Sequence, residues 1–203
     1  MIHTLRELLL TYAHATEIGD RTRIEAEIWN QFGAERTVLI WDMSGFSVLT
    51  RSHGIVHYLS MVRRMQEVTR PIVHEYKGAL VKFEADNGFA VFPGPEEGIR
   101  AAISMNEAFE IENAHLPYEF DIRVSCGLDH GRIILLEGQD FFGEAVNAAS
   151  KLGEDIASAG EILVARTAMK DLPAGVDFEG EPVRFSVSGL QLDAMRICWR
   201  KPD

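Results

Sequence analysis

Two aspartates stand where a chain can hold a divalent cation. Asp42 follows the apolar run Thr37-Val38-Leu39-Ile40-Trp41 and precedes Met43-Ser44-Gly45-Phe46, which reads as a loop opening onto a helix. Asp86 lies at the tip of a predicted hairpin, in Glu84-Ala85-Asp86-Asn87-Gly88. If the first strand and this hairpin are neighbours in one sheet, the two carboxylates converge at one edge. Hard divalent cations prefer such oxygens, together with those of a substrate's phosphates. Gly45 lets the backbone approach a phosphate, and free N–H groups at a helix start add positive potential there. The ordinary alternatives stay open: Asp86 as a turn residue and Asp42 as a helix-entry residue.

Four further polar or charged side chains stand at definite places on predicted elements. Asn147 and Lys151 are four apart on a predicted helix near residues 142–157, so they project from one face. Lys82 lies in a strand among apolar neighbours, and Asp140 falls just before that helix. Three of them also have a plain reading. Lys82 can be a strand-edge lysine with a snorkelling stem, Asp140 a helix-entry acid, and Lys151 a solvent-facing residue paired with Glu154 or Asp155.

The elements that must position these residues follow from periodicity. Residues 4–17 and 22–32 carry apolar positions at helical spacing (Leu5, Leu8, Leu9, Tyr12; Ile24, Ile28, Trp29, Phe32), separated by Gly19-Asp20. A buried strand follows from Arg36, then a helix from Gly54 to about Tyr76. The hairpin in Leu80–Phe92 turns at Asp86-Asn87-Gly88, and a helix covers 95–113. Strands are expected near 119–128 and 132–137, joined through Asp129, His130 and Gly131, and again at Glu161–Ala165 and around Met195–Trp199. The order strand, helix, hairpin, helix, strand predicts an α+β fold, a ferredoxin-like sandwich with short N-terminal helices added. Residues 1–33 read as a helical extension and 34–203 as one further domain.

Composition narrows the partners. The 203 residues, 46% apolar and 25% charged, match one globular domain with an appendage. No apolar stretch is long enough to span a membrane, and Met1–Leu10 lacks the form of a signal peptide, so a soluble, cytoplasmic protein is expected. A formal net charge of -11 opposes nucleic-acid binding. Cys126 and Cys198 lie in strand-like apolar runs and are expected to be buried thiols.

Three motifs in this order resemble those of class III adenylyl and guanylyl cyclase catalytic domains. Trp41-Asp42-Met43-Ser44-Gly45-Phe46 resembles the first metal-binding motif, and Lys82 to Phe92 the hairpin in which a lysine precedes the second metal aspartate by four residues. Asp140 to Leu152 is similar to a third signature, with an aspartate seven residues before an asparagine. The likeness runs from about Thr37 to Ala165. It implies that Asp42 and Asp86, with the Met43 carbonyl, hold two Mg2+ or Mn2+ ions per site. It further implies that Lys82 and Asp140 select the purine, that Asn147 orients the ribose, and that Lys151 stabilises charge on the α-phosphate. Arg132 matches a phosphate-contacting position. The resemblance also implies that Gly45 and Phe46 belong to the substrate-binding loop. Lysine and aspartate at the purine pair imply ATP rather than GTP, and one chain carrying both half-sites implies a homodimer with composite sites.

Three departures from the pattern count against full activity. Lys151 replaces an arginine, Ala85 a glycine, and Leu190 stands where many members have a triphosphate-binding lysine. The competing expectations are a weak or inactive cyclase-like domain that binds nucleotide and regulates, or a ferredoxin-like structural domain without triphosphate chemistry.

Overall fold

The apolar run ending at Asp42 forms β1 (Gly33–Met43), which lies inside an eight-stranded sheet. The computed structural model describes residues 4–136, 138–176, 178–187 and 190–200; the side chains of residues 46–49, 187 and 190 also lie outside the description. Ahead of β1 come α1 (Leu5–His14) and α2 (Ile18–Phe32). After it follow α3 (Phe46–His53), α4 (Ile55–Glu75), β2 (Ala79–Glu84), β3 (Asn87–Phe92) and α5 (Pro95–Asn113). The chain continues through β4 (Val124–Leu136), β5 (Asp140–Phe142), α6 (Glu144–Ser150), β6 (Ile162–Ala165), α7 (Arg166–Lys170), β7 (Gly180–Val187) and β8 (Leu190–Ile197). Strand order is β2-β3-β1-β4-β6-β8-β7, with β5 paired to β4. The mixed α+β architecture agrees with the sequence.

Alternation along β1 decides which residues face which layer. Leu39, Trp41 and Met43 join α4 and α5 in the larger core, with Met61, Met65, Phe92 and Phe109 all but fully buried. Each such side chain contributes ~1.5 to 3 kcal/mol. Val38 and Ile40 point to the other face, against Val91, Phe141, Ala145 and Ala149 of β3, β5 and α6. Asp42 continues this second set. The N-terminal helices bury Leu5, Leu8, Ile24 and Ile28 against Ile134 and Leu136 at the end of β4. Among the described residues no helix is long and apolar enough to cross a membrane.

Five local expectations are corrected. Gly19 and Asp20 fall inside α2, and the break comes at residues 15–17; Asp20 in the first turn suits the helix dipole. Asp129, His130 and Gly131 make no turn but sit in the middle of β4, opposite Val38, Thr37 and Arg36. Thr167 Oγ1 donates to the Asp129 carboxylate at 2.6 Å, and Thr37 bonds His130 at 2.8 Å, so tertiary partners override turn-forming residue types. The hairpin turns one residue earlier than expected: Glu84 pairs with Asn87, leaving Ala85 and Asp86 as the turn. Asp140 lies in the short strand β5, and the helix expected near 142–157 runs as α6 and continues in π-helical form over Lys151–Ile156. Cys126 is buried as expected, whereas Cys198, just beyond β8, is exposed.

Candidate active site

Asp42 and Asp86 meet because β1 and β3 are antiparallel neighbours. Asp42 pairs with Asn87, and the Met43 N–H donates to the Asp86 carbonyl at 3.2 Å, which ties the strand end to the hairpin tip. The Met43 side chain is buried in the core. Gly45 adopts φ 100°, a left-handed conformation that glycine takes without cost, and α3 starts at Phe46. The Phe46 side chain lies outside the described residues.

Electrostatically this end of the sheet is unbalanced. Burial, then the charges of Asp86 and Glu154, push the Asp42 carboxyl up to about 6, partly offset by the Met43 backbone N–H. None of the ion pairs among the described residues involves Asp42, Asp86 or Glu154. Gathered carboxylate oxygens without a protein cation suit Mg2+ or Mn2+. Among the described residues no group of three His, Cys, Asp or Glu side chains is arranged to hold a metal, so any such ion draws its remaining ligands from elsewhere.

Three residues near the aspartates had escaped the sequence reading. Tyr58, on α4 and only 4% exposed, sets its buried hydroxyl near Asp86, and burial, then the Asp86 carboxylate, raise its pKa well above the usual value. Glu154 accepts from Asn87 Nδ2 at 2.6 Å and from the Ser150 hydroxyl. Glu154 reaches this place because α6 passes into a π-helical turn, Lys151–Ile156. There Gly153 rests on Gly127 of β4 so closely that a Cβ on Gly127 would meet the Gly153 nitrogen at 2.3 Å. The only sequence signal was a glycine within an otherwise helical pattern, a mark of close packing.

The second expected pair is also brought together. Lys82 Nζ lies 3.3 Å from Asp140 Oδ1 and 3.1 Å from Glu84 Oε2, and 5.2 Å over the Phe89 ring. The β4/β5 hairpin folds over the face of β2 and β3, where Phe141 packs edge-on against Phe89. Glu84 and then Asp140 raise the Lys82 pKa, against the opposing effect of burial. Asn147 is exposed on α6 and Lys151 half-buried at the start of the π-helical turn.

Arg132 is not brought to the aspartates within one protomer. The register sets Ser125 opposite Asp42 and Arg132 opposite Glu35, seven residues along the ladder. At ~3.3 Å per residue that is roughly 23 Å. Its guanidinium stacks 4.2 Å over Trp29 of α2. Leu190 starts β8, with its side chain outside the described residues.

No protein-family model matches the chain. An uncharacterized protein of Mycobacterium tuberculosis is 32% identical over 136 residues, 66% of this chain and 34% of the relative. A Rhizobium meliloti protein provisionally named adenylate cyclase 3 is 28% identical over 128 residues, 63% of this chain and 21% of that one. The chain spans about a third or less of the curated relatives it matches. Among solved structures, the adenylate/guanylate cyclase/hydrolase of Silicibacter pomeroyi superposes with a TM-score of 0.67 at 24% identity, over 81% of this chain and 96% of that one. The fold is that of a class III adenylyl and guanylyl cyclase catalytic domain, the family that the motifs of the chain resemble.

Proposed function

We propose that residues 34–203 form an adenylate cyclase domain that converts cytoplasmic ATP to 3′,5′-cyclic AMP and pyrophosphate in a homodimer, with residues 1–33 as a helical extension. The observation that carries this reading is the convergence of Asp42 and Asp86, without a protein cation, at the ends of β1 and β3. These carboxylates and the Met43 carbonyl would hold two Mg2+ or Mn2+ ions, which when bound favour ionisation of the ribose 3′-hydroxyl and offset charge on the triphosphate and leaving pyrophosphate. In the reaction the 3′-oxygen bonds to the α-phosphorus while the bond to pyrophosphate breaks, and the hydroxyl proton is lost to solvent. No protein nucleophile takes part, so the chain acts by positioning and charge.

Each remaining side chain has one task. Tyr58 orients Asp86. Lys82 donates to adenine N1 while Asp140 accepts from the 6-amino group; guanine presents the reverse at both positions and leaves both residues mispaired. Asn147 orients the ribose, and Lys151 supplies a positive charge at the α-phosphate. Arg132 reaches phosphate only after leaving Trp29. One protomer presents Asp42 and Asp86 and its partner Lys82, Asp140, Asn147 and Lys151, giving two equivalent sites about a two-fold axis.

The test is incubation of purified protein with ATP or GTP and Mn2+, followed by chromatography. Cyclic AMP is expected in clear excess over cyclic GMP, and failure to form either product overturns the proposal of an active enzyme. A weakly active, regulatory domain is favoured by Ala85, held at φ 52° beside Asp86, and by lysine at 151. Metal-dependent thermal stabilisation by ATP without product would select that reading.

A further inference from the structure

Asn87 follows Asp86 and pairs directly opposite Asp42. The two side chains therefore share one face of the sheet, with Cβ atoms at the cross-strand spacing of ~4.5 to 5.5 Å. Its amide nitrogen donates to Glu154 Oε1 at 2.6 Å. A carboxylate only accepts, so this contact fixes which end of the amide faces Glu154. The other end, Asn87 Oδ1, is buried and has no hydrogen-bond donor among the described residues.

A buried carbonyl oxygen without a partner costs free energy, and folded chains rarely keep one without a use. Here it is kept beside the carboxylates of Asp42 and Glu154. Glu154 is itself anchored by the Ser150 hydroxyl and lies near enough to Asp42 to act on its ionisation. Side-chain amide carbonyls are ordinary oxygen ligands of hard cations, alongside carboxylates. A residue that locks the orientation of a ligand through its far end is the usual outer support of a metal site.

We propose that Asn87 Oδ1 is a further ligand of the divalent cation held by Asp42, and that Glu154 is the positioning residue that turns the amide toward it. The inference rests on the assignment of Asp42 and Asp86 as metal residues. It adds to that pair an oxygen that the family-like motif does not supply, and it gives the π-helical turn a purpose.

The test is direct binding of Mn2+ to the purified full chain without nucleotide, read from the loss of the free-ion electron paramagnetic resonance signal, so no turnover is needed. Asn87→Ala should weaken binding by roughly 10 to 100-fold, and Glu154→Ala by roughly 10-fold. Glu154→Gln can still accept from Asn87 Nδ2 and should stay within about threefold of the parent, which a role of Glu154 as bare charge would not allow. Asn87→Ala binding Mn2+ as the parent does, with its melting temperature intact, overturns the proposal. If Asn87→Ala does not fold, equal affinities for Glu154→Ala and Glu154→Gln overturn it instead. Asp42→Asn separates the two levels. Binding unchanged in Asp42→Asn sinks the metal assignment and this inference together, whereas binding lost there but kept in Asn87→Ala sinks only the role of Asn87.

Discussion

Two charge clusters share this sheet and are built in opposite ways. Around Lys82 the signs are already matched, with Glu84 at 3.1 Å and Asp140 at 3.3 Å. Around Asp42 like charges gather, and burial with Asp86 and Glu154 pushes its carboxyl up to about 6. The first cluster is complete as folded. The second gathers like charges with no protein cation among the described residues, and buried like charges are costly unless paired. Removing one member should therefore have different consequences in the two places.

The largest effects belong to the carboxylate cluster. Asp42→Ala and Asp86→Ala are each expected to abolish cyclisation while circular dichroism and dimer mass stay unchanged. Mixing inactive Asp42→Ala with inactive Asn147→Ala should restore activity, since a heterodimer can assemble one intact site from the undamaged halves. Demonstrated subunit exchange without recovery would exclude composite sites. Next in size is Lys151→Ala, expected to lower kcat by roughly 10 to 1,000-fold with little change in ATP affinity, the pattern of a contact made mainly in the transition state. Lys151→Arg should keep activity, because it retains the charge and adds a planar fork. An unchanged kcat in Lys151→Ala would return that residue to the solvated helix surface.

At the matched cluster, losses should appear in selectivity before turnover. Lys82→Met and Asp140→Ala each remove one base contact worth ~1 to 3 kcal/mol, so the ATP over GTP preference in kcat/KM should fall by roughly 10 to 100-fold. Equal losses for both nucleotides would mean that the pair holds the sheet together and reads no base.

The two clusters also differed in how far the sequence revealed them. Asp42, Asp86, Lys82 and Asp140 were found because each sits at a fixed place in a motif next to a strand or turn, and local pattern is what a single sequence displays. Helix α5 was predicted with the bounds observed, its proline and glycine placed at the start. Glu154, Asn87 and Tyr58 were missed because their roles come from contacts between segments up to 67 residues apart. For the same reason β4 was divided at Asp129-His130-Gly131, where partners on β1 and α7 hold the backbone extended. The π-helical turn depends on two glycines, Gly127 and Gly153, meeting across layers, and neither announces the other in the sequence. Arg132 shows the limit of motif matching, since its stacking partner Trp29 lies outside the resembling region.

The imbalance at Asp42 can be read without catalysis. A carboxyl that ionises at about 6 when folded and near 4 when unfolded binds its proton more tightly in the folded chain. It contributes stability below pH ~4, and that contribution is lost as pH rises through 6. Asp42→Asn does not suffer the loss. Without divalent cation its melting temperature, relative to the parent, should therefore rise between pH 4.5 and 7.5. The group is half-buried and solvent screens it, so a gain of roughly 2 to 4 °C is expected, corresponding to ~1 kcal/mol. Saturating Mn2+ should reverse the order at pH 7.5. A difference between variant and parent that is the same at both pH values would show that Asp42 is not under like-charge stress.

The smallest effect is expected in the turn that joins the clusters. Ala85 lies between the strand carrying Lys82 and Asp86, at φ 52°, where an L-residue costs ~1 to 2 kcal/mol and glycine almost nothing. Ala85→Gly relieves that strain but makes the unfolded chain more flexible, which returns ~0.5 to 1 kcal/mol. The net gain should be ~0.5 kcal/mol, or about 1 to 2 °C in melting temperature for a chain of this size. Glu84 and Asn87 are already paired on either side of the turn, so the change should leave the Lys82 contacts and the ATP over GTP preference within twofold. Its reach extends only to Asp86, where turnover should change by less than about threefold. Calorimetry and paired kinetics on the two nucleotides measure both parts. A lower melting temperature would mean that the Ala85 methyl is held by favourable packing, and a shift in base preference would mean that the turn couples the clusters, which would break the separation drawn between them.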